Sequence, residues 1–327
     1  MPGMDNSDHA HHADLVYATL RDDTSTAQSA VAASWSRSLT NYGLDPNYSQ
    51  PPQRLGYDEF QAALSRMELL VRVAQATLDR LFQSVGDAGC CVLLTDENGV
   101  PLDRRGMAGD DADFRSLGLW TGMVWSEASE GTNGVGTCIA EGRALTIHRS
   151  EHFLTRNIEL SCTVAPIWDA QGRLMGVLDV STCRSDLTPA ILKLVAAAAR
   201  DAAQRIETHY FRQAFRHARI LVGTDTGTGA AGLLAVDRED LVIGASRAAR
   251  QAYGLTDERL KDPFPANDLF EIEGGSPGAG LVRAERVAVR QALSRSKGNV
   301  SAAARTLGVS RATMHRKLAR LAIERGS

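Results

Sequence analysis

The residues best suited to chemistry lie near the carboxyl end. In the run SRATMHRKLARL, Arg311, Thr313, His315, Arg316, Lys317 and Arg320 fall on the outward side of a helix. Its inward stripe is Met314, Leu318 and Leu321, at helical spacing. Guanidinium and ammonium groups set among short polar side chains suit a polyanion: charge holds phosphates, and arginine forks pair with base edges. Arg311, at the N-terminal end of that helix, is placed for a base edge and can be bidentate to guanine. Arg316 and Lys317 are placed for phosphates, as are Asn299 and Ser301 at the start of the preceding helix. Ser310 caps the third helix and borders the same surface.

Charge supports this division of labour. The net charge of the 327 residues is only −3, yet residues 283–327 carry eleven Arg or Lys and two acids, leaving −12 on residues 1–282. A basic tail on an acidic body sets one segment apart for a polyanion. Other chemistries have little support. The run Gly227 to Gly232 matches G-x-G-x-x-G, but the LLAVDRED that follows reads as a strand, so a dinucleotide site is not expected. A phosphate loop, a nucleophile triad and paired carboxylates are all missing, so no enzyme and no cofactor are expected. Five scattered cysteines without C-x-x-C fit a reducing, cytoplasmic setting rather than a disulfide framework or zinc site. The polar N-terminus, with His9, His11 and His12, lacks the pattern of a signal peptide and reads as a disordered tail. No apolar run is long enough to span a membrane.

These residues need a scaffold, and the hydrophobic periods supply one. Residues 15–40 read as helix, 41–56 as a proline-broken connection, and Tyr57 to Val85 as one long helix. CCVLLTD, ENG and VPLDRRG form a hairpin, ALTIH a short strand, and residues 160–180 a second hairpin across D-A-Q-G. Another long helix runs from Thr188 to about Phe215. Residues 232–243 look like a further hairpin followed by a short helix, and 261–280 begin irregularly and end as a Gly/Pro/Ser linker. The class is α+β. Three helices close the chain: Leu281 to Arg295, one capped by Asn299 and ended by Gly308, and one capped by Ser310. A Gly308-Val309 turn between two short helices is helix-turn-helix spacing.

The stretch GNVSAAARTLGVSRATMHRKL resembles the Fis-type helix-turn-helix nearly residue by residue. The resemblance implies a sequence-specific DNA-binding unit that dimerises. A second resemblance covers roughly residues 30–210. G-T-N-G-V-G-T at Gly131 to Thr137, Glu151 to Phe153, Cys162 to Ile167, Gly172 to Asp179 and SWSRSLTNYGLDP at Ser34 to Pro46 are similar to the GAF domain of acetoin- and glycerol-type activators. This implies an antiparallel sheet with flanking helices enclosing a small-molecule pocket. Candidate lining residues are Trp120, Trp125, Thr132, Asn133, Cys138, His148, His152, Phe153 and Cys162, the tryptophans as an apolar wall and the polar groups to orient a ligand. Cys138 and Cys162 also read as small core residues, and Asn133-Gly134 as a turn. No metal site is expected at His148 and His152, which share helical spacing without a helix.

Regulators of that type commonly carry an ATPase between sensor and DNA module. Here about 70 residues separate the two, too few for such a domain, so ATP hydrolysis is not expected. Residues 213–278 resemble a reduced PAS-like segment, with a plain spacer as the alternative. The expected organisation is a helical arm (1–56), a GAF-like sensor (57–212), the PAS-like segment and linker (213–278) and the DNA-binding unit (279–327). Double-stranded DNA, a small effector, a second copy of the chain and RNA polymerase are the implied partners, and a membrane is not. The long helices at 57–85 and 188–215 are expected to pack across the dimer. Rival readings are a redox or metal sensor using Cys138, Cys162, Cys183 or the histidines, and an architectural DNA-binding protein whose GAF-like part only dimerises.

Overall fold

The computed structural model describes residues 6–21, 29–50, 52–225, 231–238, 240–270, 279–296, 298–321 and 323. The chain forms two compact units, Met1–Asp262 and Pro263–Ser327. The class is mixed helix and antiparallel sheet, as the periods imply.

The first unit is organised on a five-stranded sheet. Its strands are β1 (Cys91–Asp96), β2 (Pro101–Arg105), β3 (Leu145–His148), β4 (Ser161–Trp168) and β5 (Leu174–Thr182), in the order β2-β1-β5-β4-β3. Every described pairing is antiparallel. The β1–β2 turn is fixed by Asp96, whose Oδ1 accepts from the Asn98 and Val100 N–H groups at 3.0 and 2.9 Å. All six residues of β1 are buried, so both sheet faces are covered. Val92, Leu94, Leu178 and Val180 meet Leu70, Leu78 and Leu81 of one helix and Val195, Ala199 and Ile206 of another on one face. Cys91, Leu93, Val177, Cys162 and Val164 meet Phe114, Trp125, Val135 and Cys138 on the other.

The helices of this unit are α1 (Asn6–Leu20), α2 (Ala30–Ser36), α3 (Tyr57–Arg66), α4 (Glu68–Val85), α5 (Asp111–Ser116), α6 (Glu127–Glu130), α7 (Gly134–Glu141) and α8 (Pro189–Ala214). The 57–85 helix is therefore two. Met67, at φ −100° and ψ 11°, leaves the helical basin between α3 and α4, and no glycine or proline marks the break. The expected single helix over 15–40 is also divided, with residues 22–28 outside the described ones. The long helices α4 and α8 do not wait for a second copy: their apolar stripes pack on each other and on the sheet within the chain. Leu194 and Ile191, 70% and 36% exposed near the start of α8, remain outward.

The N-terminal segment is not the tail its composition suggests. His12 is buried, its Nε2 lies 3.0 Å from the His152 carbonyl oxygen, and its ring meets Trp35 edge-on. Val16 and Trp35 join Phe153 and Leu154 in a separate apolar cluster. The arm is thus part of the sensor's own packing.

Residues 219–245 add three antiparallel strands, β6 (Arg219–Asp225), β7 (Ala231–Val236) and β8 (Leu241–Ala245), followed by α9 (Arg247–Tyr253) and α10 (Asp257–Lys261). Most of the glycine-rich run at 227–232 lies outside the described residues, but a strand starts at Ala231, which denies a dinucleotide loop its helix. Leu233 and Ala235 of β7 pack on Phe211 of α8.

The second unit holds β9 (Phe264–Pro265), α11 (Asn267–Phe270), α12 (Ala279–Arg295), α13 (Val300–Thr306) and α14 (Arg311–Arg320). Among the described residues no helix is long and apolar enough to cross a membrane.

Candidate functional site

The last three helices lock together through Val289 and Ala292 of α12, Ala303 and Ala304 of α13, and Met314, Leu318 and Leu321 in and after α14. The alanines are 0% and 2% exposed, so α13 meets its neighbours with almost no side-chain spacer. Gly308, at φ +63°, ends α13: its N–H bonds to the Arg305 carbonyl and the Val309 N–H to the Ala304 carbonyl. That Schellman pairing sets the turn that launches α14. Asn299 Oδ1 accepts from the Ala302 N–H at 3.0 Å, and Ser310 Oγ from the Thr313 N–H at 3.1 Å.

This packing decides which polar side chains are available. Arg311 and Arg316 are exposed, and Arg316 donates to Thr313 Oγ1 at 3.3 Å. Thr313 and His315 are half-buried on the same helix, and Ser301 is half-buried on α13. Asn299 and Ser310 are exposed but use their acceptor oxygens as caps, so their first role is to start the helices. Lys317 is the departure. Its ammonium is ion-paired to Glu285 of α12, which also holds Arg320. Glu285 was not singled out from the sequence. Its carboxyl lies below the ordinary range because the lysine hydrogen bond and both cations favour its charged form.

Of the nine candidate lining residues, four lie in two apolar cores and the other five do not. Trp125, Cys138 and Cys162 are buried between the sheet and α7, with the Trp125 indole N–H donating to the Gly118 carbonyl at 2.9 Å. Phe153 belongs to the N-terminal arm's cluster. Thr132 is fully buried, its hydroxyl 2.7 Å from Ser34 Oγ, which donates to Glu127 Oε1 at 2.5 Å. Arg37 closes that network on Glu127 at 2.9 Å. Asn133 is fully buried and caps α7, its Oδ1 accepting from the Gly136 N–H at 2.8 Å. The G-T-N-G-V-G-T run thus holds a helix N-terminus tightly against β4: a Cβ on Gly134 would come 2.6 Å from Cys162 Cβ. Trp120 and His148 are half-buried, and His148 Nδ1 meets Ser161 Oγ at 2.7 Å.

His152 and Cys162 do meet, at 3.5 Å between Nε2 and Sγ. The imidazole is fully buried, and burial lowers its pKa to about 4, while burial pushes the Cys162 thiol well up. His152 Nδ1 donates to the Arg149 carbonyl at 2.9 Å, so Nε2 accepts from the thiol. A neutral pair is therefore held, not a reactive thiolate. Cys91 and Cys138 are likewise raised by burial, Cys138 to about 12. No group of three His, Cys, Asp or Glu spaced for a metal occurs among the described residues.

Two groups that the sequence reading passed over sit on this sheet face. Asp179 is 1% exposed and burial raises its pKa to about 7; Oδ2 accepts from Ser181 Oγ at 2.7 Å, while Oδ1 has no partner. Arg104, with a side chain 9% exposed, pairs with Asp111 at 2.7 Å but leaves Nε and Nη2 without acceptors. Strand alternation was the available signal: in VLDVS, Asp179 shares its face with Val177 and Ser181.

Comparison with known proteins agrees with both halves. The GAF domain family matches residues 70–206, and the bacterial regulatory protein, Fis family, matches residues 281–321. The acetoin catabolism regulatory protein of Cupriavidus necator is 36% identical over 224 residues, 67% of this chain and 34% of that protein. A propane 2-monooxygenase operon transcriptional activator of Mycolicibacterium smegmatis is 34% identical over 134 residues, 40% of this chain and 22% of that protein. The chain spans about a third or less of the length of these relatives. The structure of the Escherichia coli DhaR(N)–DhaL complex shares the fold with a TM-score of 0.50 and 20% identity, over 73% of this chain and 80% of that one.

Proposed function

We propose that this chain, which joins a GAF domain to a Fis-family helix-turn-helix, is a transcription regulator that grips duplex DNA with α14 and reads a small effector with its GAF domain. The observation that carries it is the surface of α14. Arg311 and Arg316 stand exposed on a helix whose opposite stripe is locked into α12 and α13. A helix held that rigidly by its apolar side can lay its N-terminal half in a major groove. Half-sites about one helical turn apart follow if the protein acts as a dimer.

About 70 residues lie between the GAF and Fis matches, and residues 219–245 of them are the β6–β8 sheet. That leaves no room for an ATPase domain between sensor and DNA module. The protein therefore acts without nucleotide hydrolysis, by shifting its own DNA affinity or its contacts with RNA polymerase. The effector biases whichever arrangement it binds better. The relatives' names concern catabolic operons, so the targets proposed are genes for small-molecule catabolism.

Genome-wide footprinting of the full chain, with Arg311→Ala as control, tests this. Discrete sites beside such genes that vanish in the variant are expected. An unchanged or featureless footprint would remove the proposal.

A further inference from the structure

We infer that Glu207, Trp168 and Arg247 form a proton-responsive latch that fastens the β6–β8 sheet to α8. The latch is separate from any effector site and does not depend on what α14 binds.

Three pieces of the first unit meet at one seam. Glu207 lies on α8, Trp168 ends β4, and Arg247 opens α9, the helix after β8. The Trp168 backbone N–H donates to Glu207 Oε1 at 3.1 Å. The Arg247 guanidinium lies 3.4 Å from the centre of the Trp168 ring, a cation–π contact. The far end of that ring packs at the close of α7, where a Cβ on Gly142 would come 3.5 Å from it. Gly172, in the turn after Trp168, is held as close: its Cβ would come 3.2 Å from Arg250 Cδ and 3.6 Å from Arg247 Cα. Beside these contacts Ala170 and Phe211 pack with Leu233 and Ala235 of β7. Apolar burial holds the sheet in place, and the polar residues adjust how firmly.

Enclosure gives the latch its sensitivity. The seam leaves a cavity of about 30 Å³ beside Glu207, Thr208, Ser246 and Arg247, room for about one water. A carboxylate there trades its hydration for the Trp168 N–H and the charge of the arginine. Burial outweighs both and raises the Glu207 pKa to about 7. Burial likewise lowers the Arg247 pKa, and Glu207 opposes that shift. The other charged group lining the seam is Asp169, whose Oδ1 is occupied by the Gln171 and Arg173 N–H groups at 2.8 Å. Arg250 of α9 is tied to Asp257 at 2.6 Å. Tyr210, packed beside the seam, has its pKa raised by burial and by Asp169, and stays neutral.

Linkage sets the direction. Docked, Glu207 keeps its proton to about pH 7; released into solvent, it loses it near the usual 4.5. The docked state binds more protons between those values. Its contribution to docking is therefore fully present below 4.5, declines as pH rises and is smallest above about 7. Acid closes the latch, and mild alkali loosens it. Residues 219–262, which it fastens, lie in the chain between the GAF and Fis matches.

Hydrogen exchange of the full chain, read by mass spectrometry from about pH 5.5 to 8 and corrected for the intrinsic rate, tests the latch. Relative to β1 and β2, protection of residues 231–253 should fall about tenfold or more over that range, with a midpoint of about 7. Glu207→Gln, which keeps an acceptor for Trp168, should hold the protection at pH 8 and abolish the dependence. Arg247→Gln removes the opposing charge, so the midpoint should move upward, which a merely structural loss of packing would not cause. Asp179→Asn should leave the dependence of this segment in place. Protection that ignores pH in the wild type, a dependence that survives Glu207→Gln, or one shared equally by β1 and β2 would overturn the latch. Should Glu207→Gln fail to fold, the Arg247→Gln midpoint decides: one that is unmoved or lowered removes the proposal.

Discussion

Glu285 of α12 forms an ion pair with Lys317 of α14 and draws Arg320 to the same carboxylate. The helix proposed to read DNA therefore does not present all its cations unpaired. Arg311 and Arg316 stand exposed, while Lys317 and Arg320 share the single negative charge of Glu285. A carboxylate in that position competes with phosphate for the same cations. Under the proposed function it would lower attraction to any duplex and leave more of the binding to Arg311 and Arg316.

Glu285→Gln follows directly. Releasing Lys317 and Arg320 should raise affinity for random-sequence DNA several-fold at low salt, and it should steepen the salt dependence by about one counterion or more. Anisotropy titrations on specific and random duplexes check this. Unchanged slopes in the variant would mean that Glu285 leaves these cations free for phosphate.

Arg37→Ala tests whether the arm belongs to the sensor. Glu127 is 4% exposed, and Arg37 holds both of its oxygens at 2.9 Å. Removing the cation leaves a buried carboxylate supported only by Ser34. Because Arg37 is itself 28% exposed, the cost should be about 1–3 kcal/mol rather than that of a fully buried pair. Urea denaturation measures it, and a change near zero would make the arm an accessory.

Asp179→Asn tests the buried carboxyl by its pH signature. The folded protein keeps the Asp179 proton up to about pH 7, whereas an unfolded chain loses it near the usual 3.8. Between those values the native state binds more protons, so this group's contribution to stability is greatest below 3.8. It declines as pH rises and levels off above about 7. The amide keeps the Ser181 hydrogen bond and has no charge to bury. The variant should therefore melt above wild type at pH 8 and converge with it at pH 4. A constant difference across that range would contradict the origin given for the shift.

Much of this was legible in the sequence, for identifiable reasons. The strands at 91–96, 101–105, 161–168 and 174–182 announce themselves by β-branched runs and turn residues. The last two helices do so by their caps, and the first of that pair by the glycine that follows it. What escaped depends on contacts between distant parts of the chain. His12 looked like part of a polar tail because nothing local shows that His152, 140 residues away, supplies its partner. Thr132 and Asn133 looked like ligand groups because their type is polar. Thr132 meets Ser34, which tertiary packing alone brings to it, while Asn133 caps α7 three residues along, a local cap that a polar residue before a Gly-rich run can equally signal. That Arg104 and Asp179 share a sheet face needs a strand register, which a single sequence does not state.

The most direct test of the account is the salt dependence of DNA binding by the full chain, for wild type, Arg311→Ala and Arg316→Ala, on a footprinted site and on random duplex. Arg311→Ala should cost about 1–3 kcal/mol on the specific site and relax its sequence preference. Arg316→Ala should weaken both duplexes alike and lower the salt slope by about one. Binding that is insensitive to salt and identical in all three proteins would contradict the assignment of α14 as the element that meets DNA.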